Sequence, residues 1–251
     1  MEKILEVENL KKTYYKDGEP FTAVDQISFS VEKGECLGIV GESGCGKTTT
    51  ARMIALLEEA DQGSVLLDGM EILKGKRKDM KKIYRTMQMV FQTPQDSFDP
   101  RCTLGDGIME SMINQNMPAG QAKKRMRELL SMVELKPEIG DRYPHEVSGG
   151  QCQRAAIARA LAVSPQLIIC DEATSALDVT VQAQIIRLMK KLKEEMGLSL
   201  LLICHDLALV QNFCDRAIVM YQGRIVESGT PNEIIQHPKE AYTKRLIDSV
   251  L

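Results

Sequence analysis

The sequence predicts an α/β fold with a mainly parallel core sheet, an N-terminal antiparallel β-subdomain and an inserted α-helical subdomain. A glycine-rich loop, Gly41-Glu42-Ser43-Gly44-Cys45-Gly46-Lys47-Thr48, lies between a stretch at 35–40 that reads as a buried strand and a helical stretch at 49–57, giving strand, loop and helix in that order. Further on, apolar strand runs at 167–170 and 198–204 alternate with helical patterns, as in parallel sheets. The opening, by contrast, reads as short strands divided by turns.

At 251 residues and 43% hydrophobic content, the chain can build one large α/β domain or a domain with an inserted lobe. We divide it into a core at 1–92 and 165–251 and a helical subdomain at 93–164, all within a single domain of 1–251. With 32 Lys and Arg against 35 Asp and Glu, a net charge of −3 gives no reason to expect nucleic acid as the main partner. Seven cysteines scattered without a C-x-x-C pair suit a reducing cytoplasm. The start at Met1-Glu2-Lys3-Ile4 leaves no room for a signal peptide, and the run at 198–204 falls far short of the ~20 residues a membrane span needs. If the protein works at a membrane, another chain crosses it.

Taken in order, 4–10 has an imperfect strand alternation, Asp17-Gly18 marks a turn, and two more strands fall at 23–24 and 27–31. Residues 63–67 with Asp68-Gly69 read as another hairpin edge. A short apolar strand at 87–91 ends at Gln92, and Thr93 to Pro100 forms a flexible joint, since its prolines cannot continue regular structure. In 122–133, Met126, Leu129, Leu130 and Val133 share one helical face, while the basic residues at 123–125 and 127 read as its solvated side rather than a binding patch. A second helix begins at Gly150 or Gln151, preceded by Ser148-Gly149. Beyond it lie the strand at 167–170, a long helix at 181–196, the strand at 198–204, strands at 216–221 and 224–228, and two short terminal helices.

The glycine loop fits the pattern G-x-x-x-x-G-K-[ST] at every fixed position and predicts a triphosphate pocket. Its glycines let backbone N–H groups curl around phosphate oxygens, Lys47 reaches the outer phosphates, and Thr48 offers a hydroxyl to Mg²⁺. A helix starting there aims its positive end at the anion, with Thr49 in its first turn. Cys45, close to Lys47 and that helix end, is expected to have a lowered thiol pKa; the alternative is an inert small side chain. Ser148, Gly149, Gly150 and Gln151 form a second anion site without a lysine. Asp171 and Glu172 stand at a strand's carboxyl end, where open α/β sheets bind ligands. Tyr14 reads equally as a purine-stacking ring or a strand-end tyrosine.

Together, the phosphate loop, Gln92, Val147-Ser148-Gly149-Gly150-Gln151, Asp171-Glu172, Ser175-Ala176-Leu177-Asp178 and His205 closely resemble the ATP-binding-cassette (ABC) ATPases over the whole chain. The resemblance implies an ABC-type P-loop NTPase that hydrolyses ATP with Mg²⁺. Glu172 is then the general base for the attacking water, His205 the switch residue at the γ-phosphate and Gln92 the joint glutamine touching metal and water. Thr48, Gln92 and Asp171 hold the metal, and Tyr14 stacks on adenine. Ser148 to Gln151 bind ATP held by a second cassette, and Asp178 communicates across that dimer.

Two stretches resemble the peptide and nickel importer group. Pro94 to Pro100-Arg101 is similar to its proline- and serine-containing stretch, with Asp99 where Asn is usual. Pro238-Lys239-Glu240-Ala241-Tyr242-Thr243-Lys244-Arg245-Leu246 is similar to its Pro-x-His-Pro-Tyr-Thr-x-x-Leu ending, with Glu240-Ala241 replacing His-Pro. The stop at Leu251, without a cysteine-bearing extension, leans towards nickel or metal chelate. The resemblance implies a peripheral subunit on the cytoplasmic face of the membrane. Its partners would be a second, homologous ATPase chain, two integral-membrane permease subunits and an extracytoplasmic binding protein, with no nucleic acid. The alternatives are a soluble cassette acting on ribosomes or DNA, and the ATPase subunit of an exporter.

Overall fold

The computed structural model describes residues 2–74, 79–172 and 178–248. It opens on a long hairpin of β1 (Lys3–Lys16) and β2 (Glu19–Glu32), turning at Asp17-Gly18 as expected. The two strands expected at 23–24 and 27–31 are one. Gln26, at φ 53°, lies where the pairing with β1 slips between Ile27 and Val24, and this bulge keeps both apolar stretches inward. Next come β3 (Cys36–Val40), α1 (Lys47–Ile54), β4 (Gln62–Leu67) and β5 (Met70–Glu71). Helix α2 (Met80–Thr86) runs straight into β6 (Met87–Val90). Three helices then precede the next strand: α3 (Leu104–Asn114), α4 (Ala119–Met132) and α5 (Gly149–Leu161). The rest alternates as β7 (Leu167–Asp171), α6 (Val179–Met196), β8 (Ser199–Ile203), α7 (Leu207–Phe213), β9 (Arg216–Tyr221), β10 (Arg224–Gly229), α8 (Pro231–Gln236) and α9 (Ala241–Asp248).

The strands form two sheets. One is antiparallel, in the order β2-β1-β4-β5; the other has the order β10-β9-β3-β8-β7-β6 and is parallel except for β10. Strand period decides where the core goes, because successive side chains point to opposite faces. In β8, Leu200 and Leu202 pack with the helices α3, α4 and α5, whereas Leu201 and Ile203 pack with the antiparallel sheet and α1. β7 does the same, with Ile168 and Cys170 on the helical side and Leu167 and Ile169 on the other. A strand buried on both faces reads as the unbroken apolar run seen in the sequence. Each fully buried Leu or Ile adds about 1.5–3 kcal/mol of burial free energy.

Helices α2 and α3 were not expected. Helix α3 announces itself locally: the Thr103 hydroxyl accepts from the Asp106 amide, and the Asp106 carboxylate accepts from the Thr103 amide, a reciprocal cap. Among the described residues no helix is long and apolar enough to cross a membrane.

This topology positions the site. β3, β8, β7 and β6 are neighbours and run parallel, so their carboxyl ends share one edge. Along that edge stand, in order, the glycine loop after β3, His205 after β8, Asp171-Glu172 at the end of β7, and Gln92 after β6.

Candidate nucleotide site

The glycine loop can form only because two of its residues lack a Cβ. Gly41 has φ 153°, and a Cβ there would sit 2.3 Å from the Met220 carbonyl oxygen. At Gly46, φ is 106° and a Cβ would lie 2.2 Å from the Ala23 carbonyl oxygen. The loop is thus pressed against the β9–β10 hairpin on one side and β2 on the other. Gly46 is also the N-cap of α1, with no side chain capping that end. The first-turn amides therefore remain available to an anion.

Lys47 is 4% exposed, and its ammonium donates to the carbonyls of Gly41 at 2.6 Å and Glu42 at 2.9 Å. Folded back this way, it holds the loop's curvature. Cys45 departs from expectation. Burial pushes its thiol up, outweighing the pull of Lys47 in the other direction, which favours the alternative reading of an inert small side chain.

The acidic pair and its partners converge. The Thr48 hydroxyl donates to Asp171 Oδ1 at 3.1 Å, Gln92 Nε2 donates to Glu172 Oε2 at 3.0 Å, and His205 Nδ1 lies 3.9 Å from Glu172 Oε1. Five of the expected residues, from three strand ends and α1, thus form two adjoining groups centred on the neighbours Asp171 and Glu172. Glu172 holds the left-handed conformation at φ 46°, which costs a non-glycine residue about 1–2 kcal/mol and sets the direction of its carboxylate.

Asp171 is 5% exposed and makes no ion pair among the described residues. Burial raises its carboxyl above the ordinary value of 3.8; the Thr48 hydrogen bond opposes the rise and the Glu172 charge adds to it. Because the folded-state value is raised, stability falls as pH climbs from that ordinary value through the raised one, and the ionised form costs the nucleotide-free protein stability at neutral pH. Asp171→Asn is therefore expected to raise Tm without nucleotide at pH 7. A lower Tm in thermal unfolding would contradict the assignment.

The remaining expected residues stand apart from this cluster. Ser148 is exposed and caps α5: its hydroxyl accepts from the Gln151 amide at 3.3 Å, and the Gln151 side chain accepts from the Ser148 amide at 3.0 Å. Gly149 and Gly150 form the first turn. A Cβ on Gly150 would meet Val181 of α6 at 2.7 Å, so the glycine there also lets the two helices pack. Asp178 caps α6 through the Val181 amide at 3.0 Å. Ser175, Ala176 and Leu177 lie outside the described residues. Tyr14, on β1 opposite Phe21, is 37% exposed, with the Lys12 ammonium 5.3 Å from its ring centre. Ser43, Gly44 and Thr49 occupy the loop and first turn as expected.

One contact was missed. Tyr242 of α9 accepts a hydrogen bond at 3.0 Å from the amide of Glu42, inside the glycine loop. The sequence marked Tyr242 as part of a terminal motif, but nothing local links residues 200 positions apart.

A glycine loop leading from a central parallel strand into a helix, with a buried aspartate and a glutamate at a neighbouring strand end, defines the class of P-loop nucleoside triphosphatases. The ABC transporter family model matches residues 24–175. The oligopeptide transport ATP-binding protein OppF of Haemophilus influenzae is 44% identical over 97% of this chain and 74% of its own length. That of Bacillus subtilis is 46% identical over 99% of this chain and 83% of its own. Among solved structures, the ATP-binding cassette MJ0796, in a dimeric post-hydrolysis state bound to ADP and Pi, has a TM-score of 0.81 and 31% identity, covering 90% of this chain and 98% of that one. CbiO1 from Clostridium perfringens gives 0.83 at 28% identity, over 94% of this chain and 92% of that one. The chain belongs to the ABC transporter family and hydrolyses ATP in transport.

Proposed function

We propose that this chain is the ATP-hydrolysing subunit of a peptide importer, lying on the cytoplasmic face of a membrane that other subunits cross. The observation that carries this reading is the near full-length match to proteins named for oligopeptide transport. Nickel or a metal chelate, the other substrate class implied by the two stretches at 94–101 and 238–246, is tested in the same experiment. The second ATPase chain, two permeases and external binding protein complete the proposed assembly.

Residues 41–49 bind the triphosphate, with Lys47 turning from the loop carbonyls to the outer phosphates, and Tyr14 stacks on adenine. Magnesium fits the donor set: it takes oxygen ligands, and Thr48 and Asp171 present two, with the amide of Gln92 close to Glu172. A buried carboxylate without an ion pair is the site a cation would neutralise. When bound, the metal would withdraw charge from the phosphate oxygens. Glu172 takes a proton from the attacking water, while Gln92 and His205 orient its carboxylate and sense the γ-phosphate.

Ser148 to Gln151 serve the nucleotide of the opposite cassette; the exposure of Ser148 at the start of α5 supports that role. Shifting a two-state equilibrium from 1:99 to 99:1 takes about 5.5 kcal/mol. A few charge-assisted hydrogen bonds, at about 1.5–3 kcal/mol each, reach that figure, so signature contacts made only in the closed dimer would drive closure and their loss would reopen it. In this scheme Asp178 reports across the dimer, and residues 93–164 move as a helical subdomain relative to 1–92 and 165–251.

The test is reconstitution of the chain with its encoded permease, ATPase and binding-protein partners in liposomes. ATP-dependent uptake of a labelled oligopeptide is expected. Uptake of Ni²⁺ instead would replace the peptide assignment, and co-sedimentation with ribosomes without permease association would remove the transport reading.

A further inference from the structure

The terminal motif around Tyr242 marks the chain's subgroup but has no part in the chemistry assigned above. Its location gives it one. Tyr242 is 6% exposed, and its ring stacks on Tyr221 with centres 4.0 Å apart and planes inclined by 28°. Its hydroxyl then reaches the Glu42 amide at 3.0 Å. Burial raises its phenol above the ordinary value, so the group is neutral at physiological pH.

The helix carrying it is itself anchored. The Glu227 carboxylate, on β10, accepts from the amides of Lys239 at 2.9 Å and Glu240 at 3.2 Å, which fixes the entry to α9. The turn between β9 and β10 makes a second hold on the loop, with the Gly223 amide donating to the Cys45 carbonyl at 3.0 Å. The glycine loop is therefore gripped from behind at two places, Glu42 and Cys45, by one C-terminal unit. These lie on either side of Ser43-Gly44, the crown of the loop. Lys47 pulls on the same segment from inside through the carbonyls of Gly41 and Glu42. When its ammonium leaves those carbonyls for a phosphate, Glu42 keeps the Cys45 amide on its carbonyl, at 3.3 Å within the loop, and Tyr242 on its own amide, the one hold among these that reaches Glu42 from outside the loop.

We propose that Tyr242 is a positioning residue for the phosphate loop: its hydroxyl fixes the Glu42 amide, so that the loop keeps its nucleotide-binding shape once Lys47 turns to the triphosphate. The inference rests on residues 41–48 being the triphosphate site. It extends the nucleotide-binding machinery to the chain's last helix, through a residue that touches no substrate.

The test compares Tyr242→Phe with wild type, Tyr221→Phe and Lys47→Ala as full chains. Phenylalanine keeps the ring stack and removes the hydroxyl alone. Fluorescent ATP binding is expected to weaken roughly three- to ten-fold in Tyr242→Phe, with Tm held within a few degrees, a loss of the size one neutral hydrogen bond gives. In the assembled ATPase the same variant raises KM for MgATP more than it lowers kcat. Hydrogen exchange at the Glu42 amide, with nucleotide bound, is expected to accelerate in Tyr242→Phe and to stay at the wild-type rate in Tyr221→Phe. Unchanged affinity and exchange in Tyr242→Phe, or an equal loss in Tyr221→Phe, would overturn the proposal. Undiminished binding in Lys47→Ala would instead overturn the assignment of the loop itself.

Discussion

Glu172→Gln is expected to lower ATP turnover in the assembled transporter by about 10²–10⁴-fold, the range a general base contributes. The glutamine is nearly isosteric, and the Gln92 amide can still donate to its carbonyl oxygen where Glu172 now accepts at 3.0 Å. What disappears is the group proposed to take the proton from water. Nucleotide affinity should be retained, since Lys47, Thr48 and the loop amides are untouched. ATP then persists in the pocket, and the closed cassette dimer accumulates, visible as a shift in size-exclusion or light-scattering measurements. Turnover at the wild-type rate would show that another residue accepts the proton.

Gly46→Ala is the second large effect, and its companion Gly44→Ala separates folding from binding. At Gly46 the new methyl would overlap the Ala23 carbonyl oxygen at 2.2 Å, and φ is 106°. Neither β2 nor the loop can yield cheaply, because both contacts are backbone. Gly46→Ala should therefore lose nucleotide binding by more than about 100-fold, with a fall in Tm corresponding to about 2–4 kcal/mol. At Gly44 nothing lies within 4 Å of the added carbon, and φ is 79°. Gly44→Ala costs about 1–2 kcal/mol of backbone strain and should keep the fold while crowding the phosphates. Calorimetry of both variants, with and without ATP, checks the contrast; equal stability losses would mean that the loop is not seated against Ala23 as described.

Elements whose signals are short-range were legible in the sequence. The loop 41–48 and the apolar runs of β7 and β8 declare themselves through neighbours one to four positions away, and parallel pairing then forces their ends onto one edge. Helix α3 also carried such a signal in Thr103 and Asp106, unread because the prolines just before it suggested an extended irregular stretch. The continuity of β2 was hidden differently: Gln26 and its bulge break the alternation that a strand is expected to show. The choice between the two readings of Cys45 was not legible because nearby positive charge is visible in sequence and burial is not. Tyr242 lay beyond local reasoning altogether, since its partner depends on how the terminal helix docks across β9.

Helix α5 has a mechanical consequence. Its 13 residues span about 20 Å of hydrogen-bonded rod, from the exposed cap at Ser148 to Arg159 near the other end. Arg159 donates to the Ser97 carbonyl, and its guanidinium lies 5.1 Å from the Phe98 ring centre, so that end is fastened to the proline-rich joint that follows Gln92. A push at the first turn cannot be absorbed by bending over so short a length. It arrives at Ser97 and Phe98 as displacement, so that α5 would act as a pushrod between the surface proposed to meet a second cassette's phosphate and the joint after Gln92.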